Sequence, residues 1–123
     1  MKKFLAVVAL ILWSGAAAAQ HDHGNMKGPN GGPMKDVAGV HAELLVTGSA
    51  VTVNLFNEGN KPVSAKGFSG SALLVSGSNR ETVQLAVSGD NSLKGEAKAA
   101  VPAGAAVTLV LKNATGKSGQ VKF

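Results

Sequence analysis

The stretch that decides the fold is Val40-His41-Ala42-Glu43-Leu44-Leu45-Val46-Thr47-Gly48-Ser49-Ala50-Val51-Thr52-Val53-Asn54-Leu55-Phe56. Val40, Ala42 and Leu44 alternate with His41, Glu43 and Leu45. After a glycine-containing break, Val51, Val53 and Leu55 alternate with Thr52, Asn54 and Phe56. Side chains of a strand point to opposite faces with a period of two, so each half reads as a half-buried strand. Thr47-Gly48-Ser49-Ala50 is the turn that joins them into a β-hairpin.

The same pattern continues towards the C-terminus. Asn57 to Pro62 is a turn cluster, and Val63 to Lys66 reads as a short edge strand. Ser71 to Ser76 is a compact apolar strand. Gly77-Ser78-Asn79 turns the chain into Glu81 to Val87, and Ser88 to Asn91 turns it again. Ser92 to Lys98 reads as a polar edge strand. Pro102-Ala103-Gly104 leads to the alternating run Val107 to Lys112, and Asn113 to Ser118 leads to a last strand, Gly119 to Phe123. Short strands separated by turns every 8 to 12 residues predict an all-β protein. Such strands make an antiparallel sandwich or a small barrel; the expected fold is an antiparallel β-sandwich of about seven strands with immunoglobulin-like architecture over residues 37–123. The helix-tolerant segment Gly95 to Ala100 is too short to change this.

Upstream, the text is different. Residues 20–36 contain His21-Asp22-His23-Gly24 and Gly28-Pro29-Asn30-Gly31-Gly32-Pro33 and have no apolar period. They read as a flexible tail. Residues 1–19 have the three parts of a secretory signal: Lys2 and Lys3, the unbroken apolar run Phe4 to Trp13, and small residues to Ala19. Ala17 and Ala19 place the cut after Ala19, and cuts after Ala18 or Gln20 also fit. The apolar run is shorter than the roughly 20 residues that span a bilayer. The expected location is the periplasm, or secretion, without a membrane anchor.

Composition excludes several functions. The chain has no cysteine, so thiolate nucleophiles and thiolate metal sites are out. The formal charge is +5, and two of those charges, Lys2 and Lys3, leave with the signal. The remaining lysines are scattered, and the mature aromatics are only Phe56, Phe68 and Phe123. Neither a phosphate-tracking stripe nor stacking platforms are present, so nucleic acid is not an expected partner. No serine lies in a nucleophile motif, and Gly28 to Gly32 lacks the flanks of a phosphate loop, so no enzyme is expected.

The histidines carry the functional signal. All three, His21, His23 and His41, lie in the first part of the mature chain. Imidazole, largely neutral at pH 7, is the commonest side-chain ligand for transition metals. His21 and His23 could reach one ion from an extended segment, with Asp22 adding an oxygen. If processing left His21 first, the terminal amine, backbone nitrogens and His23 would close the square-planar set that Cu(II) or Ni(II) favours. His41 and Glu43, two apart on a strand, are expected on the solvent face, where they could complete a site brought by the folded-back tail or stand simply as two polar residues on a wet sheet face. Met26 and Met34 are soft donors suited to Cu(I). The candidate metal set is therefore His21, Asp22, His23, His41 and Glu43, for copper, nickel, cobalt or zinc. The alternative is a periplasmic interaction or structural module that binds no metal and offers a sheet edge to a protein partner.

These motifs also form a resemblance. His23-Gly24, Pro29-Asn30-Gly31-Gly32 and Gly39-Val40-His41-Ala42-Glu43-Leu44 resemble a small periplasmic β-domain family associated with heavy-metal efflux. That domain occurs alone or near the N-terminus of membrane-fusion subunits of efflux pumps. Gly59-Asn60-Lys61-Pro62-Val63, Leu93-Lys94-Gly95 and Gly116 to Phe123 extend the likeness over most of residues 23–123. The resemblance implies a periplasmic β-sandwich concerned with metal handling, with His41 and Glu43 as ligands and an efflux component as partner. Residues 1–123 include no helical hairpin or barrel of the fusion subunits, so a stand-alone binder is expected.

Overall fold

The computed structural model describes residues 26–123. Eight strands form it: β1 (Met34–Val37), β2 (Val40–Thr47), β3 (Ala50–Phe56), β4 (Ser69–Ser76), β5 (Asn79–Val87), β6 (Ser92–Glu96), β7 (Ala106–Lys112) and β8 (Ser118–Lys122). Every pairing is antiparallel, in the order β1-β2-β3-β6-β5-β4-β7-β8. The run β4-β5-β6 is a meander. β7 returns beside β4 and β3 lies beside β6, which makes two overlapping Greek keys.

The order bends into two facing layers at β5. Residues from Asn79 to Leu85 pair with β4, whereas Ala86 and Val87 pair with β6. The inward residues of both layers meet in one core: Leu44, Val53 and Leu55 from one side, Val83, Leu109 and Leu111 from the other. The outer strands β1 and β8 come together and nearly close the structure into a barrel. A Cβ built on Gly119 would lie 2.9 Å from the Ala38 nitrogen. Lys35 Nζ donates to the Lys122 carbonyl and lies 5.7 Å from the Phe123 ring centroid.

Local chemistry explains the connections. Gly48-Ser49 and Gly77-Ser78 make two-residue hairpin turns, each with its glycine at positive φ. Ala38-Gly39 joins β1 to β2 with both residues at positive φ, +50° and +83°. That is a type I′ geometry, which alanine adopts only at an energetic cost. Asn113 Nδ2 donates to the Ala38 carbonyl at 3.1 Å and helps to hold it.

Three expectations need correction. Ser92 to Lys98 is not an edge strand. β6 ends at Glu96 and lies between β3 and β5, with Leu93 fully buried. Its polar residues Lys94 and Glu96 are only its outward half, and they carry no information about which strands stand beside it. Val63 to Lys66 forms no strand; only Pro62 bridges to Phe56, and Ala65 is buried with its N–H donating to the Asp90 carbonyl. Finally, residues 26–36 of the expected flexible tail carry ordered structure. Lys27 bridges to Pro33, Met34 N donates to the Met26 carbonyl, and β1 pairs with β2 throughout its length.

Candidate functional site around Glu43 and His41

β2 sends Val40, Ala42 and Leu44 into the core. His41 and Glu43 therefore share the opposite face, with Met34 and Asp36 of β1 on one side and Asn54 and Phe56 of β3 on the other. The register pairs Met34 and Asn54 with Glu43, and Asp36 and Phe56 with His41.

Glu43 was expected to face solvent, and it does lie on the outer face of the sheet. It is nevertheless 0% exposed. The segment Gly28-Pro29-Asn30-Gly31-Gly32 folds back over it. Glu43 Oε2 accepts from the backbone nitrogens of Asn30 at 2.8 Å and Gly32 at 3.0 Å. Glu43 Oε1 accepts from Asn30 Nδ2 at 2.8 Å and, more weakly, from Asn54 Nδ2 at 3.4 Å. A dry carboxylate is tolerable when its oxygens are supplied with donors in this way. The loop lies flush on the sheet because it is built of glycine. A Cβ on Gly28 would fall 2.3 Å from Glu43 Cδ, and one on Gly32 would fall 2.3 Å from the Leu44 carbonyl oxygen.

On this same face, Met34 is 2% exposed and Phe56 is 5% exposed. Both stand outside the central core cluster, so the outer face has a small covered patch of its own. Met34 is an ordered residue of β1, held opposite Glu43.

His41 sits at the margin of the patch, with 16% of its side chain exposed. Its Nδ1 is buried and lies 3.3 Å from Asp36 Oδ1. The contact is close but not aligned as a hydrogen bond. Asp36 is about half exposed.

Of the sequence-derived metal set, His41 and Glu43 are thus brought to one face, but in different settings. His41 keeps an edge towards solvent, whereas Glu43 has both oxygens engaged by the loop. His21, Asp22 and His23 lie outside the described residues. Among the described residues, no group of three or more histidine, cysteine, aspartate or glutamate side chains is gathered to hold a metal ion. The Met26 carbonyl accepts from the backbone nitrogen of Met34, two positions from Asp36 on the same strand. Sequence reasoning missed Asn30 and Asn54 as partners of Glu43 and Asp36 as partner of His41. The signal for Asp36 was the tight Ala38-Gly39 turn, which sets Asp36 opposite His41.

Two surface clefts of about 300 and 460 Å3 lie elsewhere. The first is walled by Leu74, Arg80, Lys98 and Val101, the second by Val63, Lys66 and Asp90, and neither includes His41 or Glu43. Comparison with protein-family models, with curated proteins and with solved structures finds no match to this chain.

Proposed function

We propose that the chain is an exported, periplasmic metal-binding accessory protein, a buffer or carrier of copper, nickel, cobalt or zinc linked to heavy-metal efflux. The observation that carries this reading is the confinement of every histidine to residues 21–41, together with the backbone hydrogen bond of Met26 to Met34 on the strand that bears His41's partner Asp36. His21 and His23 capture the ion, Asp22 supplies an oxygen, and His41 joins from the folded domain. Glu43 adds to the shell only if it releases Asn30 and Gly32, because both its oxygens are already accepting hydrogen bonds. The protein performs no catalysis in this reading; its task is to hold an ion and surrender it to a partner.

A site that recruits a chain terminus carries an ordering entropy, so its affinity is moderate unless the new terminal amine joins the ligands. The test is calorimetric titration of the processed protein with each of the four metals, its N-terminus verified by mass. Stoichiometric uptake of at least one is expected, and it should fade as pH falls through the ordinary imidazole range, because protonated imidazole cannot ligate. No uptake of any of the four defeats the proposal.

A further inference from the structure

His41 has two ring nitrogens, and one of them is placed against a carboxylate. Nδ1 is buried and faces the Asp36 carboxylate at 3.3 Å. The side chain as a whole keeps 16% of its surface exposed. In neutral imidazole one nitrogen carries the proton and the other a lone pair. A lone pair on Nδ1 would lie close to a carboxylate oxygen and be repelled, whereas an N–H there is attracted. Burial sharpens the choice, since water cannot intervene at Nδ1.

We propose that Asp36 is a positioning residue that holds the His41 proton on Nδ1 and thereby makes Nε2 the metal-donor atom. The inference rests on the metal-binding reading above and deepens it by naming the donor atom and its support. A carboxylate behind the non-ligating nitrogen fixes the ring's tautomer and raises the basicity of the ligating one. The register gives the device its rigidity. Asp36 and His41 are directly opposed across β1 and β2, one pair away from the Val37–Val40 end of the ladder. On the other side His41 is opposed by Phe56, which is almost fully buried. Glu43, two residues along on the same face, is committed to the loop and does not compete for the ring.

The test uses the processed, full-length mature protein labelled with nitrogen-15. Two-bond proton–nitrogen couplings in the metal-free protein report which His41 nitrogen is protonated, and zinc is then titrated while the His41 Nε2 resonance is followed. The expected results are the Nδ1–H form, a zinc-dependent shift at Nε2, and, in Asp36→Ala, return of the proton to Nε2 with affinity at His41 lower by about tenfold or more. Asp36→Asn keeps an acceptor oxygen and restores the Nδ1–H form. A proton on Nε2 in the unaltered protein, or equal zinc affinity at His41 in Asp36→Ala, overturns the proposal. Zinc that reaches no histidine while the Nδ1–H form is present, with no uptake of copper, nickel or cobalt either, defeats the metal reading itself; the metal-free spectrum separates the two failures.

Discussion

At the residue scale, Glu43 is the side chain on which the outer face depends. It is the only fully buried charged residue among those described, and its hydrogen bonds reach across separations of 11 and 13 positions in the chain. Glu43→Ala leaves the Asn30 and Gly32 nitrogens without their acceptor and should destabilise the protein by about 3 kcal/mol. Gly28→Ala attacks the same contact from the loop side, since its methyl would collide with the carboxylate; a loss of about 1–3 kcal/mol is expected. Urea denaturation of both variants checks this, and midpoints equal to that of the parent protein would show that the loop is not held as described. Alternation placed Glu43 on the correct face of β2. That it is dry could not be read locally, because its cover comes from a glycine-rich segment whose own composition suggests an open chain.

At the element scale, two features carry the load. β6 is short and looks polar, yet it joins the two layers, with Leu93 in the core and Gly95 lying where a Cβ would come within 2.4 Å of the Gln84 carbonyl. Leu93→Ala should cost about 2–5 kcal/mol. Lys94→Ala, on the exposed side of the same strand, should change stability by less than about 0.5 kcal/mol. Thermal unfolding of the pair distinguishes a central strand from an edge strand, where both changes would be mild. The Ala38-Gly39 turn is the second feature. Alanine at φ +50° is strained, so Ala38→Gly should raise stability by up to about 1 kcal/mol, measured as a higher denaturation midpoint. The turn clusters themselves were visible in the sequence, because Gly-Ser and Asn-x-x-x-Lys segments interrupt the alternation. Asn57 and Asn113 each accept backbone N–H bonds from residues two and four positions ahead, and this repeated side-chain chemistry shapes both loops.

At the scale of the whole molecule, ordered structure reaches into the segment that composition marks as open, back at least to Met26. Removing residues 20–25, and with them His21 and His23, should abolish most metal uptake. Removing residues 20–36 should also strip β1 and its buried Met34, at a cost of about 1.5–3 kcal/mol for that side chain alone. Circular dichroism melting with parallel calorimetry separates the two truncations; equal stability in both would mean that β1 adds nothing to the fold. The sequence by itself determined the all-β class, the β2–β3 hairpin, most strand positions and the shared face of His41 and Glu43. Each of these follows from period-two alternation and turn chemistry, which act between residues close in the chain. Only the tertiary structure decided that β6 is central, that β1 and β8 nearly meet, that Glu43 is sealed and that Asp36 stands behind His41. Those outcomes depend on which distant segments come to lie against a given face, and a strand's own side-chain pattern records the face but not what covers it.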